Sequence, residues 1–177
     1  FLDSDDWWSS RKLEVSVKFL EQGKASVVYH DLFIVKKESQ KFFFRRTKSR
    51  QLKKPMFDDL IINGNALLTS SVVLKREIMA QITGFTEDAS LIAIEDYHTW
   101  LSLAIADEYF IKISEVLGYY WLGGNNINNP SRTIQTLNDL EKKFQEKIVE
   151  LELSEKTYWL SYSKARAYCK LNMRTEA

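Results

Sequence analysis

The sequence has little cysteine, little net charge and no long apolar run, and each shortage excludes a class of protein. A single cysteine, Cys169, excludes a disulfide framework within the chain and is typical of a reducing compartment. With 25 basic and 24 acidic residues, the net charge of +1 gives no overall attraction to nucleic acid. No apolar run approaches the ~18 residues that a membrane helix needs, and no signal peptide is visible. We therefore expect a cytoplasmic protein.

What the chain does contain is enough apolar material for a folded domain. Of its 177 residues, 45% are hydrophobic and 13% aromatic, which is ample for one packed core. The chain begins with Phe1-Leu2, which has the character of the end of a buried strand, and not with methionine. We expect it to be the C-terminal portion of a longer protein.

Strand and helix signals alternate over the first 122 residues, which predicts an α/β fold. Strands are predicted at 25–37 and 70–75, with 41–46 as a hairpin partner of the first and two short strands within 109–122. A helix capped by Ser9 or Ser10 should bury Leu13, Val17 and Leu20. Further helices are predicted from Pro55 to Asn63-Gly64, over 76–83 and over 95–107.

The composition changes after a turn-rich linker at 123–131. Beyond it, apolar residues recur at helical spacing, and Ser154 is placed to cap a second helix. We therefore divide the chain into a domain at 1–129 and a helical hairpin at 130–177. The hairpin either packs on the domain or forms a homodimer contact. The predicted apolar face of its first helix is Leu137, Leu140, Phe144, Ile148 and Leu151, and that of its second helix is Tyr158, Tyr162, Ala165 and Cys169.

The first motif with chemical meaning is the acidic turn, residues 3–6, in FLDSDDWW. Asp3 and Asp5 are carboxylates at alternate positions. This pattern suits a hard cation such as Mg²⁺ or Mn²⁺, which takes the rest of its oxygen ligands from water and phosphate. A calcium EF-hand loop is excluded because Trp7 and Trp8 occupy required positions and the turn glycine is absent. The alternative is that these acids only cap the following helix.

A second acidic pair, Glu95 and Asp96, begins the helix in EDYHTWLSLA. Acids in a first helical turn are also ordinary capping residues, so the pair alone proves little. The order of segments along the chain adds information: FLDSDDW, VVYHD at 27–31, SSVVLKRE at 70–77, GFTE at 84–87 and EDYHTWLSLA at 95–104.

In this order the chain resembles the inverting family-two glycosyltransferases of the GT-A fold. The resemblance covers roughly residues 1–129 and implies the metal- and acceptor-binding part of such a domain, without its N-terminal nucleotide-binding strands. It implies transfer of a sugar from a nucleotide-diphosphate donor, such as a UDP-sugar, to a hydroxyl of a glycan or lipid-linked acceptor, as in polysaccharide or cell-envelope biosynthesis.

The resemblance also implies roles for individual residues. Asp5 would bind Mn²⁺ or Mg²⁺ at the donor pyrophosphate, and Asp3 would hold the donor ribose or complete the metal shell. Asp96 would be the general base for the acceptor hydroxyl, and Glu95 would position it or bind another hydroxyl. Asp6 would hold the turn.

Some positions depart from the family or carry weaker expectations. Where many relatives have Tyr-Arg-x-His followed by Gly-Asn, this chain has YYWLGGN, so Trp121 and Gly123 replace the Arg and the His. Tyr119-Tyr120 and Gly124-Asn125 still match. We expect His98 to be peripheral to the base, His30 to be a strand residue and Trp100 to be core.

The last feature is the basic segment, residues 36–54, with nine basic residues and one acidic, a local charge of +8. It includes Phe42, Phe43 and Phe44. The plain interpretation is a solvated hairpin with inward phenylalanines, and we predict no nucleic-acid partner. The alternative is an anionic membrane surface, which would add peripheral contact at the inner face of the cell membrane. Two alternatives to an active glycosyltransferase remain open. The chain is either a catalytically incomplete fragment or a module that binds anions or a membrane surface through residues 36–54.

Overall fold

The structure is a computed structural model that describes residues 1–82, 84–106, 109–123, 129–173 and 175–176. Over these residues the chain is a mixed α/β structure, as predicted. Its strands are β1 (Trp7–Trp8), β2 (Val27–Val35), β3 (Val73–Leu74) and β4 (Phe110–Trp121). Its helices are α1 (Lys12–Glu21), α2 (Met56–Asn63), α3 (Arg76–Gln81), α4 (Glu95–Ala106), α5 (Pro130–Lys143), α6 (Gln145–Glu150) and α7 (Tyr158–Lys170). None of these helices combines the length and the apolar character needed to cross a bilayer.

The four strands form one sheet in the order β1-β4-β2-β3. β2 and β4 are parallel, and the two short edge strands pair antiparallel with them. His30 of β2 lies opposite Ile113, but the next residue, Asp31, lies opposite Val116, so two residues of β4 have no partner in β2. The two strands predicted within 109–122 are therefore one strand with a shift in its pairing.

The four other strand predictions fare differently. The predicted strand at 25–37 is confirmed as β2, whereas 70–75 contains a 3-10 turn followed by the two-residue β3. The hairpin partner at 41–46 is confirmed in part: its end runs antiparallel to β2, where Phe33 bridges to Arg46 and the Ile34 N–H donates to the Arg45 carbonyl at 2.8 Å, but the segment is not a regular strand. Phe1-Leu2 lies outside the sheet; the Phe1 ring packs instead on Phe85, 4.9 Å away, and on Trp100.

The helices α2, α3 and α4 are confirmed at nearly the predicted bounds. For α1 the predicted buried face is correct only at Leu20, because Leu13 and Val17 are exposed. The helix packs on the sheet through Val15 and Leu20, and its Lys12 side chain is completely buried. The Lys12 amine donates to the carbonyls of Ser70 and Ser71, so Lys12 takes the inward position of the first turn. The next residue, Leu13, is therefore 52% exposed. Neither Ser9 nor Ser10 is the cap; Arg11 precedes the helix without a side-chain hydrogen bond.

The C-terminal helices share their core with the rest of the chain. Leu137, Leu140, Phe144 and Ile148 are buried as predicted, in one cluster with the apolar residues of α2 and α4. The predicted first helix divides at Phe144 into α5 and α6. The prediction for α7 is wrong in its cap and its face, because Ser154 begins a 3-10 turn and the buried residues are Leu160 and Ala167. The predicted stripe residues Tyr158 and Tyr162 are exposed.

Gly64, which caps the C-terminus of α2, lies directly against Trp159 of α7. Its φ is +79°, and a Cβ atom built there would lie 2.3 Å from the Trp159 ring. The indole therefore packs directly on glycine backbone, which only glycine permits in this conformation. This contact attaches α7 to the domain that carries the acidic residues.

Candidate active site

The acidic turn is held between the end of β4 and the 3-10 turn Thr69–Ser71. The Asp6 carboxylate is buried and accepts a hydrogen bond of 2.8 Å from the backbone N–H of Trp121. The backbone N–H of Asp3 donates to Ser70 Oγ at 2.9 Å, and the Trp8 indole donates to the Ser70 carbonyl. Asp6 thus holds the turn, as predicted, while Asp3 and Asp5 have exposed side chains.

The second acidic pair lies at the first turn of α4, which is anchored deep in the core. Trp100, Leu101 and Leu103 of this helix are completely buried, which confirms the prediction for Trp100. The Tyr97 hydroxyl donates to the Leu60 carbonyl at 2.6 Å. Such packing gives Asp96 a rigid support, as a residue that must reach a reacting atom requires.

The structure brings the two acidic motifs to one cleft of about 460 Å³, which we call the acidic cleft. Asp3 lines it from the acidic turn, and Glu95 and Asp96 line it from α4. The remaining walls are Phe1, Leu2, Thr69, Phe85 and Ala93. Residues far apart in the sequence therefore present three carboxylates to the same space.

The Asp96 carboxylate is held by three hydrogen-bond donors. Its Oδ1 atom accepts from the Tyr97 N–H at 2.6 Å, and its Oδ2 atom accepts from Asn65 Nδ2 at 3.3 Å and Thr69 Oγ1 at 3.4 Å. Burial raises the pKa of Asp96 to about 6, and the neighbouring Glu95 charge adds to the rise. Burial thus outweighs the helix N-terminus, which by itself would favour the ionised form.

The other two carboxylates of the cleft differ in their surroundings. Glu95 Oε2 is buried and has no hydrogen-bond donor within the described part of the chain. Burial raises the pKa of Asp3, and the charges of Asp5 and Glu95 raise it further. A buried acceptor without a donor is costly, so a ligand hydroxyl in the cleft would find a ready partner there.

Asp5 lines a different cavity. This second space, also about 460 Å³, is bounded by Asp5, Trp7, Glu38, Phe43 and Trp121. The negative charge of Asp5 contributes to the raised pKa values of Asp3, Asp6 and Tyr120. The structure therefore brings Asp3 together with the α4 acids, and it places Asp5 on the adjoining side of the same turn.

These residues would supply only some of the ligands that a metal ion needs. Within the described ranges, no group of three or more His, Cys, Asp or Glu side chains could hold an ion. Asp3 and Asp5 do offer exposed carboxylates, and the charge of Asp5 raises the pKa of Asp3, so a cation between them would relieve this repulsion. Two carboxylates fit Mg²⁺ or Mn²⁺ if substrate phosphate and water supply the other ligands.

Trp121 and Gly123, which stand where the resemblance would lead one to expect Arg and His, lie in a stretch beside the acidic turn. Burial raises the pKa of Tyr120, and the charge of Asp6 raises it further. The Trp121 ring covers Gly123 so closely that a Cβ there would lie 2.4 Å from it. The matching Gly124-Asn125 lies outside the described residues.

The histidines follow the expectations for them. His30 is a buried residue of β2. His98 is half-buried on α4, with its ring 5.3 Å from that of Phe144. Neither histidine lines the acidic cleft.

Three features of the site have no strong sequence signal. Asn65 and Thr69, which bind Asp96, lie in a segment without a recognisable motif. Ala93 has a φ of 74°, a strained conformation for a residue with a Cβ atom. A smaller cavity of about 310 Å³ also reaches Asp96, and it is lined by hydroxyl-bearing residues and an indole from the C-terminal helices: Thr133, Thr136, Trp159 and Ser163.

Comparison with known proteins adds no relative. No protein-family model matches this chain, and no curated protein matches it either.

Proposed function

We propose that this chain is the metal- and acceptor-binding part of an inverting glycosyltransferase. It moves a sugar from a nucleotide-diphosphate donor to a hydroxyl of a glycan or lipid-linked acceptor. The observation that carries the proposal is that Asp3, Glu95 and Asp96, from two separate acidic motifs, line one cleft. The GT-A fold itself is part of this proposal.

Asp96 is the general base. As the acceptor oxygen bonds to the anomeric carbon, its proton passes to the Asp96 carboxylate, and the bond to the diphosphate breaks with its electron pair on phosphate. One displacement inverts the anomeric centre. A carboxylate with a pKa of about 6 is ionised at neutral pH and is a stronger base than an ordinary aspartate. Its Oδ2 atom accepts two hydrogen bonds and its Oδ1 atom accepts one, so Oδ1 keeps an acceptor site for the substrate hydroxyl.

The surroundings of the base favour an acceptor rich in hydroxyl groups. Glu95 Oε2 is an unpaired acceptor for a second hydroxyl of the substrate. The smaller cavity at Asp96 offers Thr133, Ser163 and the Trp159 indole, which suit the polar edges and apolar face of a sugar ring. We assign the acceptor to this side and the donor to the Asp3 side.

Asp3 and Asp5 are the residues that would hold the divalent ion. When bound, such an ion neutralises the charge that develops on the departing diphosphate. The carboxylates themselves must be ionised for this role, and their mutual repulsion in the free protein favours binding of a cation. Asp6 maintains the turn through Trp121 and takes no part in the chemistry.

The strained Ala93 residue supports the same assignment. It lines both the acidic cleft and the smaller cavity, and it directly precedes the turn into α4. A strained backbone conformation persists only where the surrounding structure enforces it, and such residues cluster at active sites.

The test is a transfer assay on the full protein with a panel of nucleotide sugars, manganese or magnesium, and glycan acceptors. We expect nucleoside diphosphate release that requires metal and acceptor and is lost in Asp96→Asn. The matched control is Glu87→Gln, which alters an exposed carboxylate in the loop before α4. Metal-independent release, or unchanged release by Asp96→Asn, would overturn the proposal.

A further inference from the structure

The tip of the basic segment, residues 41–48, exposes two aromatic rings. The Phe42 side chain is 72% exposed and Phe44 is 87% exposed. Their rings stack on each other with centroids 6.2 Å apart and planes 18° from parallel. The expectation of inward phenylalanines holds only for Phe43, which contacts Tyr119 at 4.9 Å. Together Phe42 and Phe44 form an apolar projection that water does not favour.

Cations surround this projection. Lys41, Arg45 and Lys48 are exposed, and within the described residues none of them forms an ion pair. Phe44, Arg45 and Lys48 also line an open cavity of about 790 Å³.

The cavity contains one acid, and its charge is already balanced. The buried Asp31 carboxylate accepts from Lys112 Nζ at 2.9 Å and from the Ser49 N–H at 2.8 Å. Arg46 lies 3.9 Å from the same carboxylate. Arg45 and Lys48 are therefore available for an external anion.

We propose that residues 41–48 dock on the surface of an anionic lipid bilayer. Phe42 and Phe44 enter the boundary between headgroups and acyl chains, while Arg45 and Lys48 bind lipid phosphates. Exposed aromatic rings surrounded by unpaired cations are the combination that binds such interfaces. This surface acts independently of glycosyl transfer, although it would bring the protein to a lipid-linked acceptor.

The arrangement favours a bilayer over nucleic acid. A base stacks on an open aromatic face, and here Phe42 and Phe44 cover each other's inner faces. Their phenyl rings also lack a polar atom for a base edge. An apolar projection is instead suited to insertion between lipids.

The first experiment is co-sedimentation with vesicles, without any sugar nucleotide. Vesicles of phosphatidylcholine mixed with phosphatidylglycerol are compared with phosphatidylcholine alone, at low and high salt. We expect binding only to the anionic vesicles, weakened by salt. Phe42→Ser with Phe44→Ser should weaken binding roughly a hundredfold. Arg45→Gln with Lys48→Gln should weaken it about 25-fold, near fivefold per charge at low salt.

Matched controls alter similar residues elsewhere on the surface. Leu13→Ser with Val17→Ser removes exposed apolar side chains from α1, and Lys18→Gln with Lys24→Gln removes exposed charges. Both pairs should bind vesicles like the unaltered protein. All variants should keep the same melting temperature, which excludes unfolding as the cause of lost binding.

A second experiment measures insertion directly. In a Cys169→Ser background, Phe44→Cys or Leu13→Cys carries a polarity-sensitive fluorophore. Emission should shift to the blue on anionic vesicles for position 44 and not for position 13. Unchanged emission at position 44, equal binding to neutral vesicles, or tighter binding to an RNA oligonucleotide than to anionic vesicles would each overturn the proposal.

Discussion

Lys12 Nζ lies 2.7 Å from Nε2 of His30, and both side chains are completely buried. His30 Nδ1 lies 2.8 Å from the Asp31 carbonyl, which can only accept, so Nδ1 carries the proton and Nε2 accepts from the lysine. Burial lowers the pKa of Lys12 to about 7 and that of His30 to about 4. The amine also donates to the Ser71 carbonyl, which joins α1 to the turn that holds Asp3.

This pair predicts how stability depends on pH. The folded pKa of Lys12 is below its ordinary value of 10.5, so between about pH 7 and 10 the unfolded chain binds more protons. The free energy of unfolding should therefore rise as the pH rises through this window. Urea unfolding at several pH values measures it.

In Lys12→Met the rise in stability above pH 7 should disappear. Lys18→Met, which alters an exposed lysine of the same helix, should keep it. An identical slope in Lys12→Met and the unaltered protein would mean that another group titrates.

The second prediction concerns the base. Asp96→Asn keeps the shape of the side chain and removes its basicity, so transfer should fall roughly 10²–10⁴-fold with donor affinity unchanged. In the unaltered protein, kcat/KM should decline below about pH 6, because protonation of Asp96 disables it. Steady-state rates across pH 5–8 test both. Glu95→Gln should lower transfer less.

Stability separates a catalytic from a structural Asp96. The raised pKa means that the folded state gains stability as pH falls from about 6 toward 4, since the native state then binds more protons than the unfolded chain. Asp96→Asn should lack this gain and should melt no lower than the unaltered protein at pH 8. A large loss of melting temperature would instead identify Asp96 as a helix cap.

The third prediction separates the two aspartates of the acidic turn. Asp5→Asn should abolish metal-dependent donor binding and leave the melting temperature unchanged, because its side chain is exposed. Asp6→Ala removes the acceptor for the Trp121 N–H and should lower stability by about 1–3 kcal/mol. Calorimetric titration and thermal unfolding measure the two effects. Equal losses of donor binding in both variants would favour a purely structural turn.

The fourth prediction uses two glycines with similar φ angles. Gly23 and Gly64 both have positive φ, +70° and +79°, but only Gly64 has a neighbour within reach of a Cβ, the Trp159 ring. Gly23→Ala should cost about 1 kcal/mol from backbone strain alone. Gly64→Ala should cost about 1–3 kcal/mol more, because the indole must move. Chemical denaturation of both variants measures the difference. Equal losses in the free energy of unfolding would show that the Trp159 ring moves aside without cost.

The elements predicted correctly are those with local signals. Pro55 and Gly64 mark the ends of α2, and an apolar run after two acids marks α4. The buried face of α1 could not be predicted, because the partners of Lys12 are His30 and the carbonyls of residues 70 and 71, distant in sequence.

The same reason limits prediction of the site. Asp3, Glu95 and Asp96 are recognisable as acids in motifs, but their common cleft depends on how the turn and α4 pack. Asn65 and Thr69 bind Asp96 only because α2 and the 3-10 turn meet there. The hairpin predicted at 41–46 forms only at its end, because phenylalanine has high strand propensity but the pattern does not report which rings face water.

The continuous β4 strand has a consequence for how the chain can vary in length. Pairing with β1 and β2 fixes its last residues, and the Trp121 N–H must meet Asp6. One residue inserted after Gly118 would turn every following side chain to the opposite face and move that N–H away from the turn. The basic segment pairs with β2 at residues 45–47, so additions in its loop before residue 45 would leave the sheet register intact. Changes of length should thus accumulate around the exposed phenylalanines and be rare in β4.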